Sequence, residues 1–507
     1  MFSKKSIVFI LSFVFVSFVS AQNNIPDTLT QAKQQIAKGN IKEANEMLVL
    51  YISKHPKELN TLWLNAQCNY WLNNFTAAKA CYKNAMQLFP DNYYLQLDYA
   101  KMLIQIGAYN EGEVLLKKYL SYDPEDTTSL YYLAKLNYWQ GNYNDALNWT
   151  KKIITKNPNH EGANNINTEI ALLKGTQLEI KSSYYSDNQP MQILSDGITV
   201  SKHFNSIFSP IFSFQNTQIT VHDTVRSANT FQLSNQFNLY KLKSVVTTSL
   251  GFIMSPVGSH NFIGSIAVEK KLTPRLSFSI AGEGYQYFIS AESVSKNIVA
   301  NKFAFTGSYN NKNFITAKIG YENNVFEDHN NVDAIDGWAL GPQFKFSIFE
   351  MRFGYAYNYS SSSKNLCTHK LSQAAIIAAA PDKPITVYYP TYFTPQHQVA
   401  HSILGNINAV FSTRFSLSIN GSIGFIESRD VLNFFINYVN LDVNKPFVDK
   451  RIYNETFMPL ELKAQALYTV NPKTSVQVNY HYNNGFFFTC NQISLGIKTN
   501  FVKALKK

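Results

Sequence analysis

Only four cysteines occur in 507 residues, at positions 68, 81, 367 and 490, and they fall at none of the spacings that build a zinc or iron–sulfur site. Long apolar runs are also missing. Beyond the first twenty-odd residues no stretch reaches the 18 or more that a membrane-spanning helix requires. The net charge of +11 is not gathered into a basic stripe, and most of the excess falls after residue 175, which argues against nucleic acid as a partner. No nucleophile stands at working distance from a base. Ser475 and His481 share one face of an alternating segment, but six strand residues separate them by about 20 Å, too far for proton transfer. His397, His401, Glu427 and Asp430 follow no catalytic spacing and read as hydrated residues of an interior wall. The expectation is a protein that is not an enzyme and needs neither metal nor cofactor.

What is present begins with an export signal. Lys4 and Lys5 precede a short apolar run from Ile7 to Val19, and Val19-Ser20-Ala21 supplies small residues at a cleavage site. Residues 1–21 are read as a signal peptide, with the mature chain starting at Gln22. No cysteine follows the cleavage site, so a lipid anchor is not expected.

A repeat then runs through residues 22–175. Gly39, Asn73, Gly107 and Gly141 recur at one interval. So do Ile41, Phe75, Tyr109 and Tyr143, then Ala44, Ala78, Gly112 and Ala146, then Pro56, Pro90, Pro124 and Pro158. The interval is the 34 residues of the helix-turn-helix tetratricopeptide (TPR) repeat, with a turn residue, a small residue where two helices approach and a proline that ends the second helix. Four repeats are expected, followed by a capping helix from Glu161 to Lys174. Cys68 and Cys81 sit on the two helices of the second repeat, which leaves open a disulfide in an oxidising compartment. The register places Trp63, Gln67, Tyr70 and Trp71, then Leu97, Lys101 and Ile104, then Tyr131, Lys135, Tyr138 and Trp139 on the concave strip that a solenoid offers to partners. Of these, Trp63, Gln67, Tyr70, Lys101, Tyr131, Lys135 and Tyr138 are the candidate partner-binding groups.

From 176 to 507 the periodicity changes to two. Phe415, Leu417, Ile419, Ile423 and Phe425 alternate with Ser416, Ser418, Asn420 and Ser422; Val476, Val478, Tyr480 and Tyr482 alternate with Ser475, Gln477, Asn479 and His481. Alternation over about ten residues, repeated many times, is the pattern of a strand with lipid on one side and a water-filled lumen on the other. The 31 Tyr and 37 Phe suit aromatic girdles. About sixteen such segments can be counted. Long connections, Ser361 to Pro395, Ser428 to Glu455 and Phe326 to Ile335, alternate with tight turns at Thr273-Pro274, Asn310-Asn311, Ser412-Thr413 and Asn471-Pro472. Short periplasmic turns and long external loops are the rule for outer-membrane barrels, so the repeats are expected in the periplasm. Alternation assigns Glu269, Glu283, Lys302, Lys318, Lys345, Arg352, Glu461, Lys463 and Lys498 to the lumen, where the basic excess predicts a preference for anions. The fold class is thus α + β multidomain: an N-terminal α-solenoid of TPR repeats followed by an antiparallel transmembrane β-barrel.

A signal, TPR units matching at Gly39, Ala44 and Pro56 and their echoes, and a C-terminal barrel together resemble the TPR-porins that export cellulose, poly-N-acetylglucosamine and Pel. They also resemble the YaiO-type outer-membrane barrels. The resemblance implies an outer-membrane channel whose periplasmic TPR arm docks protein partners and guides a surface polysaccharide. The alternative is a non-conducting outer-membrane anchor or assembly scaffold that recruits periplasmic partners through the same groove.

Overall fold

The computed structural model describes residues 28–188, 191–221, 224–255, 260–287, 293, 298–366, 368–369, 384–385, 387–388, 392–437, 447–485 and 489–502. The signal peptide and Cys367 lie outside these residues. By contact the chain divides into Met1–Leu133 and Ala134–Lys507, and each unit is taken by itself.

The first unit is built of antiparallel helix pairs: α1 Thr28–Lys38 with α2 Ile41–Lys54, α3 Leu59–Trp71 with α4 Phe75–Leu88, and α5 Tyr93–Gln105 with α6 Tyr109–Tyr122. It ends inside α7, Thr127–Trp139. The turn residue of each pair adopts the left-handed backbone, with φ of +85° at Gly39 and +83° at Gly107. Asn73, at φ 63°, fills the same place, which asparagine tolerates better than other side chains. The small-residue columns are fully buried at Ala44, Ala66, Ala78 and Ala100. At Gly112 a Cβ would lie 2.7 Å from Cγ1 of Ile104, so this crossing is closer than alanine allows. Cys68 packs with Ala32 and Leu48, and burial pushes its thiol up to about 12. Cys81 instead donates its S–H to Oδ1 of Asn65 at 3.0 Å, and both thiols are free, so the disulfide left open by the sequence does not form.

The second unit continues with the end of α7, α8 Tyr143–Lys156 and α9 Glu161–Lys174, which passes through Gly175 into the first strand. Sixteen strands follow. They are β1 Thr176–Asp187, β2 Met191–Lys202, β3 Pro210–Val221, β4 Thr224–Leu239, β5 Ser244–Met254, β6 His260–Lys271, β7 Leu276–Gln286 and β8 Val299–Asn311. Then come β9 Ile315–Phe326, β10 Asn331–Leu340, β11 Phe349–Ser362, β12 Gln398–Val410, β13 Phe415–Asn437, β14 Leu460–Asn471, β15 Thr474–Asn484 and β16 Thr489–Phe501. Each pairs antiparallel with the next, and β1 pairs with β16 from Thr176↔Phe501 to Asp187↔Cys490, closing a sixteen-stranded barrel. Closure leaves no edge, and an even count returns the chain to the end where it entered. We call this the terminal end and its opposite the far end.

Alternation decides which face is which. Leu233, Leu250 and Phe262 are 60%, 76% and 87% exposed, and together with Ile280, Phe303, Ile319, Phe353 and Ile403 they form an apolar outer belt. Such a belt on a closed barrel fits the outer membrane; among the described residues no helix is long and apolar enough to cross a bilayer. Two expected loops prove shorter. Much of Ser428 to Glu455 is a β-extension in which β13 pairs with a strand at Phe447–Thr456, from Ser428↔Thr456 to Asn437↔Phe447, because Phe434, Phe435 and Ile436 suit a pleated sheet. The turn after Phe326 ends at Asn330, because β10 already pairs with β9 at Asn331↔Val325.

Candidate functional site

On the helical strip one carboxylate organises the neighbourhood. Asp98 on α5 accepts from Nε1 of Trp63 at 2.6 Å, Nε2 of Gln67 at 2.9 Å and the Tyr82 hydroxyl at 2.6 Å. Burial first, then the charge of Asp98, raises the Tyr82 phenol well above its usual range. Tyr70 donates to Gln105, and Gln105 to Tyr132, with the Lys101 ammonium 5.9 Å from the Tyr132 ring. Tyr131 meets Tyr132 edge-on. Leu97 and Ile104 are buried in the helix packing and so are not part of an exposed strip, as the register had suggested, whereas Trp71 is exposed. Asp98 was missed by sequence reasoning although a signal existed: Leu64 and Tyr132 occupy its column in the flanking repeats, so it is a departure from the pattern.

In the second unit Lys135 sits 4.8 Å from the Trp139 ring, and its burial lowers its pKa. Tyr138 is hydrogen-bonded to Glu169 of α9, its phenol pushed up to about 12 by burial and then by that carboxylate. The start of α8 is fastened to the terminal rim of the barrel. The Tyr143 and Tyr240 hydroxyls are 2.6 Å apart, and Tyr240 belongs to a short 3-10 turn, Tyr240–Leu242, between β4 and β5. The Tyr143 ring also meets His203 edge-on at 5.5 Å, and His203 Nδ1 lies 2.7 Å from the Ser209 hydroxyl in the β2–β3 connection. Gly141, at φ +77°, lies so close that a Cβ there would stand 2.1 Å from Cε2 of Tyr240. Burial, then the charge of Lys174, holds the His203 imidazole below its usual pKa.

The charges of the nine residues assigned to the lumen are mostly engaged. Lys302 pairs with Glu283 at 2.9 Å, Lys318 with Asp336 at 3.5 Å, Lys345 with Glu350 at 2.5 Å and Lys463 with Glu461 at 2.6 Å. His481 adds a contact to Glu461 at 2.9 Å. Arg352 is buried in the wall. Its Nε and Nη2 donate to the Gly341 carbonyl, Nη2 also to that of Leu340, and Nη1 to the Thr316 hydroxyl. It braces the place where β10 gives way to the short strand Phe344–Phe346. Glu269 and Lys498 are exposed on the inner face towards the terminal end. The sequence count omitted Glu322, Asp336 and Glu350, and also Glu179, Lys181 and Arg226, which the strand pairing places on the same face.

Two features at the far end correct the expectation of a scattered, hydrated interior. His401 lies two residues before the exposed Ile403, shares its outward face, and has its Nδ1 2.6 Å from the Tyr355 hydroxyl and its ring beside Tyr357 and Phe425, so it belongs to an aromatic girdle. His397 pairs with Asp430 at 3.0 Å. Tyr392, from the connection between β11 and β12, turns inward and stacks on the inner-facing Phe326 with ring centroids 3.6 Å apart and planes 5° from parallel. Its hydroxyl donates to Asp328, and Tyr285, Tyr287, Ile298, Val332 and Leu366 surround the pair. Nothing in the alternation could have shown this contact, since Tyr392 lies in a connection between strands. Among the described residues no group of His, Cys, Asp and Glu is arranged to hold a metal ion.

The comparisons with known proteins bear mainly on the helices. The tetratricopeptide repeat family model matches residues 73–126. No curated protein matches the chain. Among solved structures, the chain is similar to a bacterial polysaccharide outer membrane secretin at 8% identity, covering 65% of this chain and 99% of that one with a TM-score of 0.48. It is also similar to a tetratricopeptide repeat protein from Parabacteroides merdae at 18% identity, covering 29% and 58% with a TM-score of 0.27. A third likeness is to YrrB, described as a TPR protein with an unusual peptide-binding site, at 12% identity, covering 28% and 73% with a TM-score of 0.26. The chain thus joins TPR helices, a type of repeat suited to protein–protein interaction, to a closed sixteen-stranded β-barrel.

Proposed function

We propose that the protein is an outer-membrane channel with a periplasmic TPR docking arm, that it carries a surface polysaccharide outward, and that it is not an enzyme. The observation that carries the reading is the inner wall. Across many strands it presents hydroxyl, amide and paired charged groups that are open to solvent, where a barrel serving only as a membrane plug would fill its interior with packed side chains. The terminal end, with α8 and α9 on its rim, is assigned to the periplasm, because short turns face that side in outer-membrane barrels. The aromatic and polar groups around Asp98 supply the surface for a periplasmic protein partner, and the apolar belt faces outer-membrane lipid. The polysaccharide follows from the domain order that the chain shares with the TPR-porins.

The inward turn of Tyr392 favours a second reading, a non-conducting anchor whose far mouth is closed. Planar-bilayer recording of the purified protein separates the two. An exporter passes current, and Tyr392→Ala, which frees the loop from Phe326, raises the conductance or the open fraction. A barrel that stays silent even with Tyr392→Ala and Phe326→Ala combined retires the channel and leaves the scaffold.

A further inference from the structure

The apolar outer belt is interrupted on one side of the barrel. Followed through cross-strand partners from Leu417 on β13, one outward row passes through Ala466 on β14, Val478 on β15 and Leu495 on β16. The same row continues as Ser182 on β1, Asp196 on β2, Asn216 on β3 and Asn229 on β4. Apolar residues thus give way to polar ones at the strand pair that closes the barrel. Asp196 is exposed, and the exposed Leu194 and Ile198 flank it along β2, so its carboxylate lies within the belt and not at its border. The outward Asp333 and Lys270 differ, because each stands close to the end of its strand, where headgroups and water reach.

A carboxylate that faces hydrocarbon is costly unless donors meet it. Among the described residues no donor reaches that of Asp196. From this row we infer that the outer face of β1 to β4 is an interface with a second copy of this chain in the membrane. The inference rests on the outer-membrane reading of the belt and holds whether or not the barrel conducts. A contact between identical copies about a twofold axis must complement itself. This row does so, because an ionised Asp196 only accepts, whereas the carboxamides of Asn216 and Asn229 also donate. Nδ2 of Asn216 donates to Oδ1 of Asn229 at 2.8 Å, which orients both amides and leaves N–H groups on each for a further acceptor. An axis along the membrane normal, passing between β2 and β3, sets Asp196 of each copy against Asn216 of the other. Ile180, Leu194, Ile198 and Phe212 border the polar centre and pack against protein as readily as against lipid tails.

The test is energy transfer between donor-labelled and acceptor-labelled full chains in vesicles of phosphatidylethanolamine and phosphatidylglycerol, followed as added lipid dilutes the protein. The expected result is transfer that fits a dimer, with a dissociation constant raised about ten-fold or more by Asp196→Leu. Leucine suits a lipid-facing position, so this variant should keep the heat-dependent gel shift of a closed barrel, which separates lost association from lost fold. Asn216→Asp alone should weaken the dimer as well, because it sets carboxylates face to face. Combining it with Asp196→Asn should restore association, since acceptor and donor have then exchanged places across the axis. A wild-type chain that inserts but stays monomeric at every dilution overturns the inference and leaves the row to a different protein or to a locally thinned bilayer. An Asp196→Leu chain that associates as before, or a folded exchange variant that does not recover, overturns it too. A chain that does not insert into the vesicles at all overturns the membrane reading instead.

Discussion

Asp98 concentrates the polar organisation of the helical strip in one carboxylate, because a charged acceptor holds three donors that apolar neighbours could not satisfy. Asp98→Ala leaves the buried Tyr82 hydroxyl and the Trp63 indole without that partner, and an unmet buried donor costs about 1–3 kcal/mol. The helical circular-dichroism signal of the full chain should melt several degrees earlier, with the barrel transition unchanged and Asp98→Asn intermediate. An unmoved helical midpoint would show that water replaces the carboxylate at no loss. Arg352 teaches the opposite lesson about a charge read as functional: its guanidinium is bound to two backbone carbonyls and a threonine. Arg352→Leu should lower the temperature at which the barrel unfolds in detergent gels, whereas Lys318→Gln should leave that temperature alone and alter conductance. If Arg352→Leu changes conductance with no loss of stability, the bracing role is wrong.

At the scale of elements, the contact between α8 and the rim joins a helix to two strand connections through aromatic groups. His203 is central and its titration sets a pH window. Its folded pKa lies below the ordinary 6.5, so the unfolded or undocked state binds more protons as acid is added. The contribution of the docked imidazole is therefore complete above about pH 6.5 and is lost as pH falls below it. The charged group facing it is Lys174, which opposes a second positive charge. Hydrogen exchange of the amides in Tyr143–Lys156, corrected for intrinsic rates, should show protection falling between pH 7.5 and 5, and His203→Gln should flatten that profile. A profile that keeps its slope in His203→Gln would assign the pH response elsewhere. Gly141→Ala should undock α8 at every pH, because a left-handed backbone and the Tyr240 ring both exclude a methyl group.

For the whole molecule, closure by β1 and β16 predicts a species that runs faster in unheated detergent gels than after boiling, since a barrel without edges opens only as a unit. Recovery in a soluble fraction would end the membrane reading. The proposed orientation is tested by tags. An epitope between residues 370 and 383 should be reached on intact cells, and one at Thr273-Pro274 only after the outer membrane is opened. The reverse pattern would place α8 and α9 outside the cell.

What could be read from the residues alone was whatever period encodes. Four columns at one interval imply stacked helix pairs, and Gly39, Asn73 and Gly107 take the left-handed turns their column predicts, because each repeat solves the same local packing problem. Dyad alternation likewise determined the strand number, since a pleat sends neighbouring side chains to opposite sides and each alternating run marks one strand. Only the tertiary structure decided how those faces are used. Which lysine meets which carboxylate depends on register between strands, a relation that no single strand carries. The three donors gathered by Asp98, the joining of Tyr143 to Tyr240 and the stacking of Tyr392 on Phe326 bring together residues far apart in the chain. Their sequence separation leaves no periodic trace, because such contacts form only when the closed barrel and the stacked helices have already placed both partners.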